Sequence, residues 1–229
     1  MRGPVPSFKL ITFDVYAALF DIETSLTPLV RAALGPEPDP LDFVRAWRRK
    51  QMEWLLISNS LEGVRLSFES ITRQALDDTL ARATREISGS VRDNLVGAWR
   101  ELKPWPEAAE VLQIVKARGY AMALLSNGDE GMQRALLPKL PAVIDHVFSS
   151  EQAGRYKPHR SMYDLPLTQL HLKPMDVLHV AGSATDVIGT KAAGLTCVWS
   201  NRRREPPPDP GNPPDFDIPD LSQLPSILG

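Results

Sequence analysis

The second half of the chain alternates between segments typical of strands and segments typical of helices. The runs YAMALLSN, DHVFSS, DVLHVAGS and TCVWSN predict strands, and PEAAEVLQIVKARG, MQRALLPKL, SMYDLPLTQLHL and DVIGTKAAG predict helices. Gly119 and Gly194 lie just past two of these helices, where a helix C-terminus favours glycine. This alternation predicts an α/β fold in which helices cover both faces of a parallel sheet.

One further strand is predicted far from the others, near the N-terminus. The segment FKLITFDVY, within residues 8–20, is short and apolar and is typical of a buried strand. Residues 20–103 then carry helical patterns, with Phe43, Trp47 and Trp54 at roughly helical spacing. We therefore expect a core domain of residues 1–19 and 103–229 with a helical domain, residues 20–102, inserted after the first strand. The segment PPPDPGNPP is expected to run extended over the surface.

Composition narrows the functional classes. The 229 residues include one cysteine, which excludes a disulfide framework and a cysteine-rich metal site. The 26 Lys and Arg against 28 Asp and Glu give a net charge of −2, so nothing favours nucleic acid or an anionic membrane as a partner. No apolar run approaches a membrane span, and the opening MRGPVPSF lacks the layout of a secretion signal. We therefore expect a cytoplasmic protein.

Polar residues stand where the predicted strands end. Asp14 follows the first strand, Ser126 and Asn127 follow the next, and Lys157 and Asp186 come later in the same pattern. A buried carboxylate is costly unless it is paired, and a nearby lysine would keep it ionised and usable as a nucleophile. Each residue alone has a simpler interpretation as a turn or capping residue. Their order, each after a strand, favours one shared site at the carboxyl edge of the sheet.

These segments resemble a known family. FDVYAALFD, LLSNG, YKPHRSMYDL and HVAGSATDVIGTKAAG are similar to the four motifs of the haloacid dehalogenase superfamily, in the same order. The resemblance covers most of the chain. It implies a Rossmann-like core, and it implies that the helical insert is the cap domain of that superfamily.

Three features resemble the L-2-haloacid dehalogenase branch more than the phosphatases. Tyr16 stands where phosphatases carry a second Asp, and Ala181 stands where they carry a magnesium-binding Asp. WRRKQMEW is similar to a dehalogenase segment whose arginine after the first tryptophan is an active-site residue, which carries over to Arg48. The spacing of six from Lys157 to Tyr163 also matches that branch.

The resemblance implies a two-step, metal-independent hydrolysis of a small 2-haloalkanoic acid, with no cofactor. Asp14 displaces the halide and forms an ester, and Lys157 balances its charge. Arg48 closes from the cap and stabilises the leaving halide. Asp186 then acts as base toward the water that hydrolyses the ester. A homodimer is also implied, since the family often forms dimers.

The remaining candidate residues are expected to bind the substrate or shape its pocket. Ser126 and Asn127 offer hydrogen bonds to the substrate carboxylate, and Tyr16 and Tyr163 line the pocket. Ser183 occupies a position where the branch has Asn.

The chain departs from the branch at positions that serve the second step. Ala18 and Ala181 replace hydroxyl residues, and Ser183 replaces Asn. We therefore expect ester hydrolysis to be slow relative to ester formation. Pro166, just beyond Tyr163, disfavours a helix interior, so the helix is expected to start late and to displace Tyr163.

Simpler interpretations stay open beside this one. Trp47, Trp54 and Phe43 are typical of helix packing, Cys197 of a core strand, and the four histidines lack metal-ligand spacing. Arg48 also fits a solvated helix position. Two alternative functions remain: a phosphatase of the same superfamily, and a protein that keeps the fold, has lost turnover and binds small carboxylates.

Overall fold

The computed structural model describes residues 8–63, 65–140 and 144–229. The expectation that the opening residues form no secretion signal concerns mainly residues 1–7, which lie outside that part. No helix in the described ranges is long and apolar enough to span a membrane.

Strands and helices alternate through the described residues. The strands are β1 Leu10–Phe13, β2 Phe20–Asp21, β3 Lys103–Pro104, β4 Ala121–Ser126, β5 His146–Ser149, β6 Val177–Ala181, β7 Thr196–Ser200 and β8 Phe216–Ile218. The helices are α1 Ile22–Leu34, α2 Pro40–Ser60, α3 Phe68–Arg82, α4 Gly89–Gly97, α5 Ala108–Ala117, α6 Glu130–Leu136, α7 Ser150–Ala153, α8 Arg160–Gln169, α9 Ala184–Ala192 and α10 Leu224–Leu228. Short 3-10 turns occupy Ala98–Arg100, Leu137–Lys139, Pro174–Asp176 and Leu221–Gln223.

The main sheet is parallel, as the alternation predicts. Its strand order is β5-β4-β1-β6-β7-β8, so β1 pairs with both β4 and β6 near the centre. The chain passes from β1 to β4 and β5 on one side and then returns to build β6, β7 and β8 on the other. Ligands of open α/β sheets bind at the carboxyl ends of the strands beside such a reversal. Here that place is the end of β1 and β6.

Apolar side chains on both faces explain why β1 is buried along its whole length. Ile11 and Phe13 pack into one hydrophobic cluster, and Leu10 packs into a second cluster on the other face. Thr12 shares a face with Leu10 and is the polar exception in the strand. Because both faces of β1 are covered, its side chains cannot reach a ligand along the strand. Asp14 can do so because it follows the carboxyl end of β1.

The insert between β2 and β3 is helical. Helix α2 begins at Pro40, where the carboxylate of Asp39 accepts hydrogen bonds from the backbone of the first turn. Trp47 is fully buried, and its indole Nε1 donates to the Thr72 carbonyl at 2.8 Å, which joins α2 to α3. Trp47 and Phe43 are therefore packing residues of the bundle.

Asp129, in the loop between β4 and α6, fixes the start of α3. The carboxylate of Asp129 accepts hydrogen bonds from the backbone N–H groups of Phe68 and Glu69, both at 3.0 Å. It also pairs with Arg65 at 2.8 Å. Because free N–H groups at a helix start favour an anion, Asp129 holds the first turn of α3 against the core.

Three local expectations need correction. The first strand ends at Phe13, well before Phe20, because the chain turns directly after Asp14. The C-terminal region adds β8, a strand that the Pro-rich composition conceals, while residues 206–214 do run over the surface without helix or strand. Helix α8 starts early, at Arg160, with His159 as its cap, and contains Pro166 in its interior.

Candidate active site

The ammonium of Lys157 lies between the two buried carboxylates at the reversal of the sheet. Its Nζ is 3.3 Å from Asp14 Oδ1 and 2.9 Å from Asp186 Oδ2. The Lys157 side chain is 3% exposed, and those of Asp14 and Asp186 are 10% and 3% exposed. One cation therefore bridges two anions with little water nearby, as the order of the strand ends predicts.

Asp14 is the less stabilised of the two carboxylates. Burial raises the pKa of Asp14 to about 6, opposed by the charges of Lys157 and Arg48 and reinforced by that of Asp186. A carboxylate that is ionised above pH 6 but poorly solvated has the properties of a nucleophile.

Asp186 has the stronger set of partners. Burial alone would raise its pKa, but His179 and Lys157 outweigh that effect and lower the pKa of Asp186 below its ordinary value. The Tyr163 hydroxyl donates to Asp186 Oδ1 at 2.9 Å, and the Asp186 backbone N–H donates to Ser183 Oγ at 3.4 Å. Ser183 is thus the N-cap of α9. The expectation that Pro166 displaces Tyr163 is wrong, since α8 begins before Tyr163 and orients its hydroxyl toward Asp186.

His179 is a member of this cluster that sequence reasoning missed. It lies inside β6 and is fully buried, whereas the sequence shows only that its spacing from the other histidines does not suit a metal site. Its Nε2 is 3.0 Å from Asp186 Oδ2 and 3.2 Å from Lys157 Nζ, and its Nδ1 is 2.8 Å from Thr12 Oγ1. The sequence signal for this face of the sheet is a polar residue inside each of two apolar strands. Thr12 stands two positions before Asp14, and His179 stands two positions before Ala181, the last residue of β6.

Ser126 and Asn127 end β4 beside β1, as predicted. The Asn127 side-chain oxygen accepts a hydrogen bond from the Lys157 backbone N–H at 2.7 Å, so Asn127 positions the loop that carries the lysine. Its amide N–H₂ group remains as a donor at the same edge. Ser126 is fully buried and accepts a long hydrogen bond from the Gly128 backbone at 3.5 Å.

Arg48 extends from α2 over two aromatic rings, one on each side of the proposed boundary between cap and core. Its guanidinium carbon is 6.0 Å from the ring centre of Tyr16 and 5.7 Å from that of Trp99. Gln51, one turn further along α2, accepts a hydrogen bond from it. Tyr16 stacks on Phe68 of α3 with ring centres 4.9 Å apart, and its buried hydroxyl has no hydrogen-bond partner among the described residues. Arg48 is thus directed at the region of Asp14, two residues before Tyr16, and is not a solvated surface residue.

Gly182 is a second residue that sequence reasoning missed. A Cβ added to it would lie 2.6 Å from Asp14 Oδ2 and 2.6 Å from the Ala18 backbone nitrogen. Real side chains do not approach that closely, so the absence of a side chain here lets the backbone after β6 pack against Asp14.

A cavity of about 530 Å³ leads from the surface to this backbone. Gly182, Ala17 and Ser183 line its inner end, and Arg48 lies on the cap side. Asp14 is just behind Gly182. Among the described residues Asp14 does not line the cavity, and Gly182 lies between the cavity and the Oδ2 side of its carboxylate.

The positions that distinguish phosphatases offer no carboxylate to a cation. Ala181 is fully buried among Val187, Cys197 and Trp199, and Tyr16 presents only a phenol. In the described parts of the chain no three His, Cys, Asp or Glu side chains are grouped so that they would hold a metal ion.

Comparisons with known proteins agree with this geometry. The family described as haloacid dehalogenase-like hydrolase matches residues 8–194. (S)-2-haloacid dehalogenase 4A of Burkholderia cepacia is 31% identical over 218 residues, which cover 93% of this chain and 89% of that protein.

Two solved structures share the whole fold. A dehalogenase with an intermediate complex has a TM-score of 0.90 at 28% identity and covers 98% of this chain and 99% of its own. L-2-haloacid dehalogenase from Xanthobacter autotrophicus, with chloropropionic acid covalently bound, has a TM-score of 0.83 at 26% identity and covers 96% and 98%. The chain belongs to the haloacid dehalogenase-like hydrolases, in the L-2-haloacid dehalogenase branch.

Proposed function

We propose that this protein hydrolyses the carbon–halogen bond of a small 2-haloalkanoic acid through an ester on Asp14. The observation that carries the proposal is the Lys157 ammonium held between Asp14 and Asp186, with Arg48 directed at the same place. The relatives are named as dehalogenases of (S)-2-haloacids, and one is described with chloropropionic acid covalently bound.

In the first step Asp14 attacks the carbon that carries the halogen. Lys157 holds Oδ1, so Oδ2, which lies beside Gly182, is the attacking oxygen. The Asn127 amide and the Ser126 hydroxyl bind the substrate carboxylate. Arg48 stabilises the departing halide with a fixed positive charge.

In the second step water attacks the ester carbonyl of Asp14. Asp186 receives the proton from this water, and Lys157 stabilises the oxyanion that develops on Oδ1. Tyr163 and Ser183 hold Asp186 in place through its side chain and its backbone. The products are halide and a 2-hydroxy acid, and Asp14 is restored.

This reaction needs no metal ion. A phosphatase of the superfamily would need oxygen ligands for magnesium, where this chain has Ala181 and Tyr16. Lys157 supplies a positive charge to both carboxylates instead.

The test is halide release from 2-chloropropionate and from chloro-, bromo- and fluoroacetate, with and without a chelator. We expect chelator-resistant halide release and a burst of about one halide per active site. Chelator-sensitive cleavage of a generic phosphate ester would favour the phosphatase alternative. Thermal stabilisation by a 2-haloacid without any halide would favour the carboxylate-binding alternative.

We also propose a division of the chain into two domains, a location in the cell and an oligomeric state. Residues 20–102 are the cap and residues 1–19 and 103–229 the core, joined where β2 pairs with β3. The protein is cytoplasmic and forms a homodimer. Cell fractionation and sedimentation in solution test these two statements.

A further inference from the structure

Within the proposed function, on which this inference rests, we propose that His179 is a positioning residue for ester hydrolysis: it holds the proton that Asp186 takes from water. His179 lies within hydrogen-bond distance of Asp186, Lys157 and Thr12 at once. An ordinary packing residue of a buried strand would be apolar.

The partners of the imidazole satisfy either of its neutral forms. With the proton on Nδ1, the ring donates to the Thr12 hydroxyl, and Nε2 accepts from Lys157. With the proton on Nε2, the ring donates to Asp186, and Nδ1 accepts from the Thr12 hydroxyl. Only the first form leaves Nε2 free to take a proton from Asp186, and the Thr12 hydroxyl, which both donates and accepts, lets the ring adopt that form without moving.

The surroundings of the ring decide its resting state. The titratable groups that face the ring or lie beside it come from five elements: Asp14 after β1, Lys157 in the loop before α8, Tyr163 of α8, Asp186 of α9 and Cys197 of β7. Burial lowers the pKa of His179, and Lys157 adds to this effect, while Asp186 opposes it. The imidazole is therefore neutral at pH 7, and with its proton on Nδ1 it can take one more proton at Nε2.

Charge balance during hydrolysis explains why this capacity is useful. Formation of the ester removes the negative charge of Asp14, and the attack of water creates a new one on Oδ1. If the water proton passes through Asp186 to His179 Nε2, two ion pairs face each other: Lys157 with the oxyanion, and the imidazolium with Asp186. Without His179, Asp186 would stay protonated and would no longer balance Lys157.

The protons and bonds then balance through the second half of the step. The bond between Asp14 Cγ and the substrate oxygen breaks, and that oxygen takes the proton back from His179 through Asp186. The second proton of the water leaves the restored Asp14 carboxyl for solvent. The product is the 2-hydroxy acid, and His179 is neutral again.

The experiment follows ester and halide separately after mixing with 2-chloropropionate. Intact-protein mass measures the covalent adduct, and halide release measures its formation. His179→Gln keeps a hydrogen-bonding group near Nε2 but cannot hold a proton, and His179→Asn is too short to reach Asp186. His146→Gln, on the edge strand β5, is the matched control.

Both His179 variants should give the halide burst at close to the wild-type rate and should then accumulate adduct, because its decay is slowed about 10²-fold. In wild type the decay rate should fall toward acid pH, and this acid limb should be absent from His179→Gln. Adduct decay at the wild-type rate in either variant that gives a full burst, or parallel loss of burst and decay in both, would overturn the inference. Absence of halide and adduct from wild type would instead overturn the proposed function.

Discussion

The two sides of the candidate site differ in how closely they keep the pattern of the dehalogenase branch. The side built by β1, β4, the Lys157 loop and the cap retains the residue types expected for ester formation. The side built by β6 and the start of α9 has Ala181 and Ser183 where the branch has Ser and Asn, and in this side His179 contacts Asp186 and Lys157. From this comparison we expect the first chemical step to be fast and the second, which depends on the placement of water, to be slower.

The largest loss of activity is expected from a change to Asp14, the proposed nucleophile. Asp14→Asn removes the attacking carboxylate and should lower halide release on the order of 10⁴-fold or more, unless the amide deamidates. Asp164→Asn, which removes an exposed carboxylate on α8, is the matched control and should be nearly silent. Halide release from Asp14→Asn at a tenth of the wild-type rate would mean that another group attacks the substrate.

The second-largest loss of activity is expected from a change to Arg48. Arg48→Lys keeps the charge but loses the planar guanidinium, and halide release should fall about 10²–10³-fold. Arg49→Lys alters the exposed neighbour on α2 and should have little effect. Equal, small losses in the burst rate of both variants would make Arg48 a surface residue and would weaken the assignment of the first step.

Gly182 tests the close packing between the two sides. Gly182→Ala places a Cβ against Asp14 and the Ala18 backbone, and a displacement of the nucleophile of about 1 Å should cost on the order of 10²-fold in burst rate. Gly131→Ala, where the added Cβ meets nothing within 4 Å, is the control. An undiminished burst in Gly182→Ala would show that the backbone after β6 does not hold Asp14.

On the side built by β6 and α9 we expect a smaller effect, and here the rate should rise. Ala181→Ser with Ser183→Asn restores the residues of the branch, and it should speed ester hydrolysis about tenfold while leaving the burst rate unchanged. Rapid-quench halide measurements separate the two phases. Slower turnover in the double variant would mean that these positions are adapted to the water site that His179 and Asp186 form.

The pH dependence of the burst rate tests the ester-forming side of the site. Asp14 must be ionised to attack, and its pKa is raised to about 6, so the burst rate should be constant above that pH and fall about tenfold per unit below it. A midpoint near 3.8, the ordinary value, would mean that Asp14 is better solvated than its burial implies.

The sequence predicted the fold and the first side of the site well because both depend on local signals. Apolar strands that are followed by Asp14 and Asp186 or end in Ser126 can be recognised without knowing how the strands pair. His179 and Gly182 could not be assigned in this way, because their roles arise from register and close approach. Only the pairing of Thr12 with His179 and the contact of Gly182 with Asp14 reveal them. Strand β8 was missed because three residues after a Pro-rich segment carry little periodicity.

A single turnover in heavy-oxygen water tests the central claim most directly. Water attacks the ester carbonyl of Asp14, so the label should appear in the peptide that bears Asp14, and the first product should carry the original carboxylate oxygen. Mass measurement of that peptide and of the product locates the label. Label found in the first product, with none in the Asp14 peptide, would contradict the ester mechanism.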